Sequence, residues 1–282
     1  MQVISIQSQV VHGHVGNSAA VFPMQAKGLS VAAVPTALFS NHPHYPTMHG
    51  QILGPELVAG LLRGVEERGL LDSAAAIITG YLGSVANAEI IADFIARARQ
   101  RAPGLLHICD PVMGDDDLGV FVAEGLVEIF RERLVPLASL ITPNRYELEL
   151  LAGTEARSMD GIADAMATLC RNGTQAAVVT GCVLNDTASG SVETVAWSPT
   201  GMSRTAVRRL PIRPCGTGDL FTALLTARLC AGEALLRAAE GATMEVFSVL
   251  ERTQACATAE MAITGFRFAD RPLPEPAEAA AS

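Results

Sequence analysis

The sequence predicts an α/β protein built on a mainly parallel sheet that helices cover on both faces. Short apolar runs alternate with stretches of helical periodicity along most of the 282 residues, and this alternation is typical of parallel sheets. The apolar runs are short enough for strands and end in polar or glycine-rich residues. Since parallel sheets bind ligands beyond the carboxyl ends of their strands, we expect the functional residues in the loops that follow the strands.

The periodicity places the individual elements along the chain. Buried strands are predicted at 3–7, 29–34, 74–79, 105–109, 137–141 and 176–180. Helices are predicted at 19–28, 55–68, 86–99, from about 144 to 151, and at 161–171, 220–229 and 233–252. Two late segments, 191–196 and 202–207, favour an antiparallel pair because turn residues join them.

Composition limits the classes of function. Apolar residues make up 49% of the chain and charged residues 17%, which excludes disorder for most of it. The net charge of −9 argues against nucleic acid or an anionic membrane as the main partner. The six cysteines are widely spaced without a C-x-x-C pair, so we expect free thiols in a soluble, cytoplasmic protein. Residues 269–282 are rich in Pro, Ala and Glu and are predicted to fray.

A glycine turn, Gly216-Thr217-Gly218-Asp219, precedes a strong helix-forming segment at 220–229. The glycines let the backbone approach a ligand closely, and the first amide N–H groups of a helix have no partner within it. Such groups, with the positive end of the helix dipole, suit a phosphoryl group in transfer. Asp219 either accepts a proton from the attacking hydroxyl or only caps the helix.

Two other phosphate-binding motifs are excluded. The sequence contains no G-x-x-x-x-G-K-[ST], which excludes the phosphate-loop ATPases. The glycine turn lies late in the chain, whereas a dinucleotide fingerprint normally opens an α/β unit early.

Two acidic residues follow predicted strands. Asp110 comes directly after the strand at 105–109, where a carboxylate is costly unless it holds a cation or a hydrogen-bond donor, so it is a candidate for Mg²⁺, directly or through water. Glu147 stands three residues after Asn144, as in a capping box. Glu147 is therefore either a helix cap or a second acid of a metal-phosphate site.

Two further strand-end residues are candidates for ligand contact. Ser8 follows the first predicted strand, and Tyr81 follows the strand at 74–79. The position of Ser8 suits a hydrogen bond to a ligand at the carboxyl edge of the sheet. Tyr81 either stacks on a flat ligand or covers the edge of the sheet.

The segment 35–50 is polar and broken by prolines, which predicts a hairpin or flap. Most of the histidines lie in this segment or in the loop before the first helix: His12, His14, His42, His44 and His49. A metal site is conceivable, but the paired spacing of a helix-borne site is missing. The pattern therefore favours ligand contact or plain surface.

Several of these stretches together resemble one family. Gly216-Thr217-Gly218-Asp219 is similar to the anion hole and catalytic Asp of the ribokinase-like sugar and vitamin kinases. Further segments resemble one branch of this superfamily, the pyridoxal kinases, which act on vitamin B6. These segments are 5–8 with Gly13 and 16–17; 22–23; 39–42; 80–83; 109–115; and 142–144 with Glu147. It spans roughly residues 2 to 268.

The resemblance implies a ribokinase-like three-layer α/β/α sandwich with a central, mainly parallel sheet, and a single kinase domain over residues 1–268. It also implies ATP-dependent phosphorylation of the 5′-hydroxymethyl group of pyridoxal, pyridoxine or pyridoxamine. The implied cofactors are Mg²⁺ and a monovalent cation such as K⁺. The implied assembly is a homodimer.

The resemblance also implies roles for residues of the phosphate region. Asp219 matches the base that deprotonates the hydroxyl, and Gly216, Thr217 and Gly218 match the donors around the γ-phosphoryl group. The residues that match the ATP and metal region are Asp110, Thr142, Glu147 and Thr180, with Asp110 and Glu147 as the acids. Some bacterial members carry Lys at the position of Thr180.

In the substrate region, Ser8 matches a residue that bonds the pyridine ring, and Tyr81 lies in the substrate pocket of related enzymes. His44 lies on the flap. Many relatives have Thr and then Gly or Gln at the positions of Pro43 and His44, so the contact from this flap to the ring differs here.

Two other functions share part of this sequence pattern. A hydroxymethylpyrimidine kinase of thiamin synthesis shares the catalytic turn and a flat aromatic substrate, but its typical opening, a glycine-rich run with adjacent serines, is absent here. The other is a protein that binds pyridoxal phosphate without turnover, which the intact turn with Asp219 disfavours. ATP consumption with pyridoxal or with hydroxymethylpyrimidine distinguishes all three.

Overall fold

A nine-stranded sheet forms the centre of the molecule, seen in a computed structural model that describes residues 1–268. Its strand order is β11-β10-β9-β8-β5-β4-β1-β2-β3. The six strands from β9 to β2 in this order are parallel, whereas β3 at one edge and β10 and β11 at the other are antiparallel. The fraying predicted for 269–282 lies outside the described residues.

The strands have these bounds: β1 Gln2–Val10, β2 Ser30–Phe39, β3 Gly50–Ile52, β4 Ala74–Thr79, β5 Leu106–Cys109, β6 Gly114–Asp115, β7 Gly119–Val120, β8 Leu140–Ile141, β9 Ala177–Cys182, β10 Ser191–Ser198 and β11 Gly201–Arg208. Strands β6 and β7 form a separate two-stranded sheet.

The helices have these bounds: α1 Asn17–Ala26, α2 Pro55–Glu67, α3 Leu70–Ser73, α4 Val85–Arg101, α5 Leu126–Ile129, α6 Arg145–Ala152, α7 Met159–Cys170, α8 Thr217–Cys230 and α9 Leu235–Cys256. A π-helical turn, Phe130–Leu134, and a 3₁₀ turn, Val135–Leu137, continue α5. In residues 1–268, no helix combines the length and the apolar character needed to cross a bilayer.

Two hydrophobic clusters cover the two faces of the sheet. Neighbouring residues of one strand point to opposite faces, so Ile77 joins one cluster and Ile78 the other. Helices α2, α4, α6 and α7 pack on the first face, while α1, α8 and α9 pack on the second. Because both faces are covered, the parallel strands are buried, and the predicted α/β/α sandwich with a mainly parallel sheet is confirmed.

Some bounds differ from the sequence prediction. Strand β1 runs on to Val10 through an irregularity between Gln7 and Gln9, so Ser8 lies inside the strand, beyond the last pairing with β4 at Ile6. Strand β2 reaches Phe39 and pairs with β3, which makes 40–49 the loop of the predicted hairpin. The expected strand at 137–141 shortens to β8, because the segment up to Leu137 forms a 3₁₀ turn.

Candidate active site

The glycine turn between β11 and α8 leaves amide groups open at the start of a helix. Gly216 precedes α8 with φ 82°, a conformation that favours glycine, and a Cβ at this position would overlap the carbonyl oxygen of His14. No side chain caps the helix. Within the described chain, the amides of Thr217, Gly218 and Asp219 have no acceptor. These N–H groups and the helix dipole form a site for an anion.

Asp219 stands beside these amides in the first turn of α8. Its carboxylate accepts a hydrogen bond from the amide of Gly16 in the loop before α1, and burial raises its pKa to about 6. The alternative interpretation of Asp219 as a helix cap is wrong, because Gly216 occupies the cap position and its helix has no side-chain cap. With a pKa near 6, Asp219 is mostly ionised at neutral pH and is well matched to accept a proton.

Asp110 follows β5 and is buried against the second turn of α8. Its Oδ2 accepts a hydrogen bond of 3.3 Å from the hydroxyl of Thr222, and that hydroxyl lies 2.8 Å from the hydroxyl of Thr142. Burial raises the pKa of Asp110 well above its usual range, and the negative charges of Glu147 and Asp219 raise it further. The hydroxyl of Thr222, which Thr142 supports, therefore offsets part of the cost of this buried carboxylate.

Glu147 caps α6 and is buried. Its Oε2 accepts from the amide of Asn144 at 2.8 Å, and its Oε1 accepts from the amides of Met113 at 2.9 Å and Gly114 at 3.4 Å. Burial raises the pKa of Glu147 to about 7, although these amides lower it. The capping interpretation of Glu147 is thus confirmed, and its charge also lies close enough to Asp110 to raise the pKa of that carboxyl group.

Asp110, Glu147 and Asp219 are buried carboxylates near the start of α8, although their oxygens do not all lie within 4.8 Å of one another. None of the ion pairs in residues 1–268 involves any of them, and their pKa values are all raised. Buried charges are normally paired or bound to a metal, and Mg²⁺ takes only oxygen ligands. Asp110 is the best candidate ligand, since a single hydroxyl occupies its carboxylate, whereas backbone amides occupy both oxygens of Glu147.

Ser8 and Asp219 both lie next to Gly16. A Cβ at Gly16 would overlap the carbonyl oxygen of Ser8 and stand 2.6 Å from its Oγ. The amide of the same glycine bonds Asp219. The structure therefore brings the predicted substrate residue Ser8 and the predicted base Asp219 to opposite sides of one glycine.

Tyr81 and Thr180 lie at the same edge of the sheet but not in this cluster. Tyr81 follows β4, is half-buried, and its carbonyl accepts a 2.6 Å hydrogen bond from Thr36. Burial raises the pKa of its phenol. Thr180 lies beside Asn144 in an isolated parallel bridge, and its amide bonds the carbonyl of Pro143. Both residues thus line the carboxyl edge from which ligands approach a parallel sheet.

The loop 40–49 between β2 and β3 is fixed over the glycine turn, and we call it the flap. His44 on the flap places its Nδ1 3.1 Å from the Sγ of Cys215, directly before Gly216. Glu260 holds the base of the flap, with Oε1 2.8 Å from Nε2 of His42 and 2.7 Å from the hydroxyl of Tyr45. Its Oε2 accepts from the amide of His14 at 3.1 Å. One carboxylate therefore joins the flap, the loop before α1 and the segment after α9.

Three residues of the site were missed from the sequence. Thr222 is a buried hydroxyl on an otherwise apolar stretch of α8, three residues after Asp219, and this position was the available signal. Gly16 has the positive φ of 53° that a glycine permits. Glu260 gave no signal, because its partners lie more than 200 residues away in the chain.

Comparison with known proteins agrees with this arrangement. A family model described as phosphomethylpyrimidine kinase matches residues 25–261. A pyridoxine/pyridoxal/pyridoxamine kinase from Bordetella avium is 44% identical over 259 residues, 92% of this chain and 88% of the relative. A pyridoxal kinase from Rubrobacter xylanophilus is 41% identical, over 90% of this chain and 88% of the relative. The solved pyridoxal kinase from Leishmania donovani in complex with ADP and pyridoxine superposes with a TM-score of 0.85 at 29% identity, over 94% of each chain.

The raised pKa of Asp219 predicts a stability that depends on pH. Burial disfavours its charged form in the native state, so the ionised carboxylate lowers the free energy of unfolding above about pH 6. A shift from 3.8 to about 6 corresponds to at most about 3 kcal/mol. We expect Asp219→Asn to raise the free energy of unfolding by about 1 to 3 kcal/mol at pH 8. The gain shrinks as the pH falls through 6 and is lost near pH 4.

Urea unfolding of the metal-free protein at several pH values measures this effect. Asp164→Asn, at an exposed position on α7, is the matched control and should change the free energy of unfolding by less than about 0.5 kcal/mol. A gain for Asp219→Asn that is equal at pH 4 and pH 8 would contradict the electrostatic explanation.

Proposed function

The chain belongs to the pyridoxal kinases of the ribokinase-like superfamily, and we propose that it transfers the γ-phosphoryl group of ATP to the 5′-hydroxymethyl group of pyridoxal, pyridoxine or pyridoxamine. We treat residues 1–268 as one kinase domain. The product from pyridoxal is pyridoxal 5′-phosphate, which places the enzyme in vitamin B6 salvage.

The observation that carries this proposal is Asp219 beside the open amides of α8. Asp219 takes the proton of the 5′-hydroxyl as its oxygen forms a bond to the γ-phosphorus, and the bond from that phosphorus to the bridging oxygen breaks to release ADP. The amides of Gly216, Thr217 and Gly218 hold the phosphoryl oxygens. This transfer depends mainly on positioning and charge stabilisation, which one base and one anion hole provide.

ATP binds with a divalent metal on the side of Asp219 that faces Asp110, and we propose that the metal is Mg²⁺. Asp110 and Glu147 would hold it with the phosphate oxygens, and the metal supplies neutralisation of the charge on the phosphates. Thr142 and Thr180 stand next to this region, where they contact phosphates or a monovalent cation such as K⁺. The shared hydroxyl contact of Thr142 and Asp110 through Thr222 supports this placement.

The substrate ring lies between β1 and the flap. Ser8 bonds the pyridine ring, and Tyr81 lines the pocket from the loop after β4. His44 contacts the substrate from the flap. The support for Ser8 is its position across Gly16 from Asp219, and the support for His44 is its contact with Cys215 beside the anion hole.

A hydroxymethylpyrimidine kinase is the second candidate, because the matching family model carries the phosphomethylpyrimidine kinase description. The curated relatives at 38 to 44% identity favour the B6 vitamers instead, since their names include pyridoxal. A protein that binds pyridoxal phosphate without turnover is the third candidate. Release of ADP with pyridoxal, with each other vitamer and with hydroxymethylpyrimidine separates these candidates, and a pure binding protein would release none.

We also propose a cytoplasmic homodimer that binds neither nucleic acid nor membranes. The net charge of −9 argues against binding to nucleic acid or to an anionic membrane. Large exposed apolar residues on α2, β2 and the edge strand β3 offer a surface for the dimer; they are Leu38, Ile52, Leu57 and Leu61. Sedimentation equilibrium of the full chain decides between monomer and dimer.

Loss of the base is expected to stop the reaction but not ligand binding. Asp219→Asn should lower kcat with pyridoxal by about 10³- to 10⁴-fold, the upper part of the range for a general base, because the carboxylate of Asp219 lies in the first turn of α8 with a pKa that suits a proton acceptor. Steady-state ADP release and the affinity for pyridoxal measure the two effects. A decrease of less than about tenfold would remove Asp219 from this role. Asp164→Asn is again the control.

The two acids of the metal region are expected to respond differently. Asp110→Asn should raise the Mg²⁺ concentration for half-maximal rate by about tenfold or more and leave the melting temperature unchanged or higher, because it removes a buried charge. Glu147→Gln should likewise raise the Mg²⁺ concentration for half-maximal rate. Unlike Asp110→Asn, it should lower the free energy of unfolding by about 1 to 3 kcal/mol, because its new NH₂ group must face a backbone N–H. If Glu147→Gln lowers stability while the Mg²⁺ dependence is unchanged, Glu147 is only a cap.

A further inference from the structure

Three metal-ligating side chains meet where the flap touches the glycine turn. His42 and His44 come from the flap, and Cys215 precedes Gly216. One ligand atom from each residue lies within 4.8 Å of the others, and no other trio of His, Cys, Asp or Glu in residues 1–268 meets this condition. The closest pair is the Sγ of Cys215 and the Nδ1 of His44, 3.1 Å apart.

The hydrogen bonds around His42 prepare its ring for a metal. Nε2 of His42 lies 2.8 Å from Oε1 of Glu260, and Nδ1 accepts from the amide of His44 at 3.3 Å. Nε2 therefore carries the proton, and the lone pair of Nδ1 accepts the amide N–H of His44 in a long bond that a metal at Nδ1 would replace. A histidine that ligates a metal through one nitrogen typically donates the other N–H to a carboxylate, which fixes the tautomer and the ring orientation.

The charges around Cys215 also favour a cation over a free thiolate. Burial and the negative charges of Glu260, Asp219 and Asp115 raise the pKa of Cys215 to about 11, so the metal-free residue is a thiol at neutral pH. This argues against a thiolate nucleophile activated by His44. The same negative charges attract a divalent cation, which would bind the sulfur as the thiol releases its proton to solvent.

We propose that His42, His44 and Cys215 form a site for Zn²⁺ or a similar borderline-soft divalent cation, with a fourth position left for water or another ligand. Two imidazoles and one thiolate are a ligand set typical of zinc and unsuited to Mg²⁺. This site is distinct from the oxygen-only region of Asp110 and Glu147. The ligands come from two loops, so the helical spacing that is missing from the sequence is not required.

A bound cation would connect the flap to the residue that begins the anion hole. His44 could then no longer contact the substrate, and Cys215 would be fixed next to Gly216. Turnover therefore falls as the site fills and recovers when a chelator removes the metal. This effect on turnover rests on the proposed kinase function, whereas metal binding does not.

Titration of the reduced full-length protein with Co²⁺, in the presence of excess Mg²⁺, tests the site directly. Mg²⁺ occupies the oxygen ligands, and Co²⁺ bound to Cys215 gives a thiolate-to-metal charge-transfer absorption that carboxylates cannot give. We expect this absorption to saturate at one equivalent and to disappear when Zn²⁺ displaces Co²⁺. Cys215→Ser should abolish it, and His44→Gln and Glu260→Gln should weaken Co²⁺ binding by about tenfold or more.

Two matched variants control for unrelated ligands. His49→Gln changes another exposed histidine of the flap, and Cys256→Ser changes an exposed thiol at the last residue of α9. Both variants should bind Co²⁺ as the wild type does. Absence of the thiolate band in the wild type, or its equal loss in Cys256→Ser, would overturn the proposal. Because His44 is exposed, His44→Gln keeps the test valid even if Cys215→Ser folds poorly.

The kinase assay then tests the consequence separately. With saturating Mg²⁺, Zn²⁺ should lower the wild-type rate over the same concentration range in which it displaces Co²⁺, and EDTA followed by fresh Mg²⁺ should restore it. Displacement of Co²⁺ without any loss of rate would keep the metal site and overturn its effect on turnover. A wild-type protein that binds Co²⁺ but shows no kinase activity with any vitamer would instead contradict the proposed function.

Discussion

The collection of three carboxylates at one edge of the sheet is the constraint on which the rest of the site depends. Asp110 follows β5, and Glu147 and Asp219 lie in the first turns of α6 and α8. Within the described residues, none of these three carboxylates forms an ion pair. Burial raises the pKa of each carboxylate, and the negative charges of Glu147 and Asp219 raise the pKa of Asp110 further. Burying these charges costs folding free energy, and any cation that binds them in the native state would raise the free energy of unfolding.

The sequence predicted those parts of the molecule that depend on local patterns. The strands at 74–79 and 105–109 and the helix at 55–68 agree closely with β4, β5 and α2, because buried runs and helical periodicity are properties of neighbouring residues. The turn at Gly216 and the capping box at Glu147 were likewise readable from short spacings. No element was assigned between 118 and 136, where α5 continues into a π-helical turn of mixed polarity.

The remaining parts of the site depend on contacts between distant segments. The role of Thr222 requires Asp110 to lie against α8 across the sheet, and the function of Gly16 requires Ser8 on one side and Asp219 on the other. The meeting of Cys215 with two flap histidines likewise joins residues more than 170 positions apart. Spacing along a single chain carries no information about such pairs.

Glu260 connects the end of the described chain with its beginning. Its carboxylate contacts His14, His42 and Tyr45, and it follows every strand of the sheet in the chain. During synthesis on the ribosome, the first sheet strands and the flap emerge long before this carboxylate does. The nascent chain therefore lacks this contact to the flap until residue 260 has been made. A ribosome that stalls shortly before that point leaves a chain that contains all the strands of the sheet but whose flap has no bond to this carboxylate.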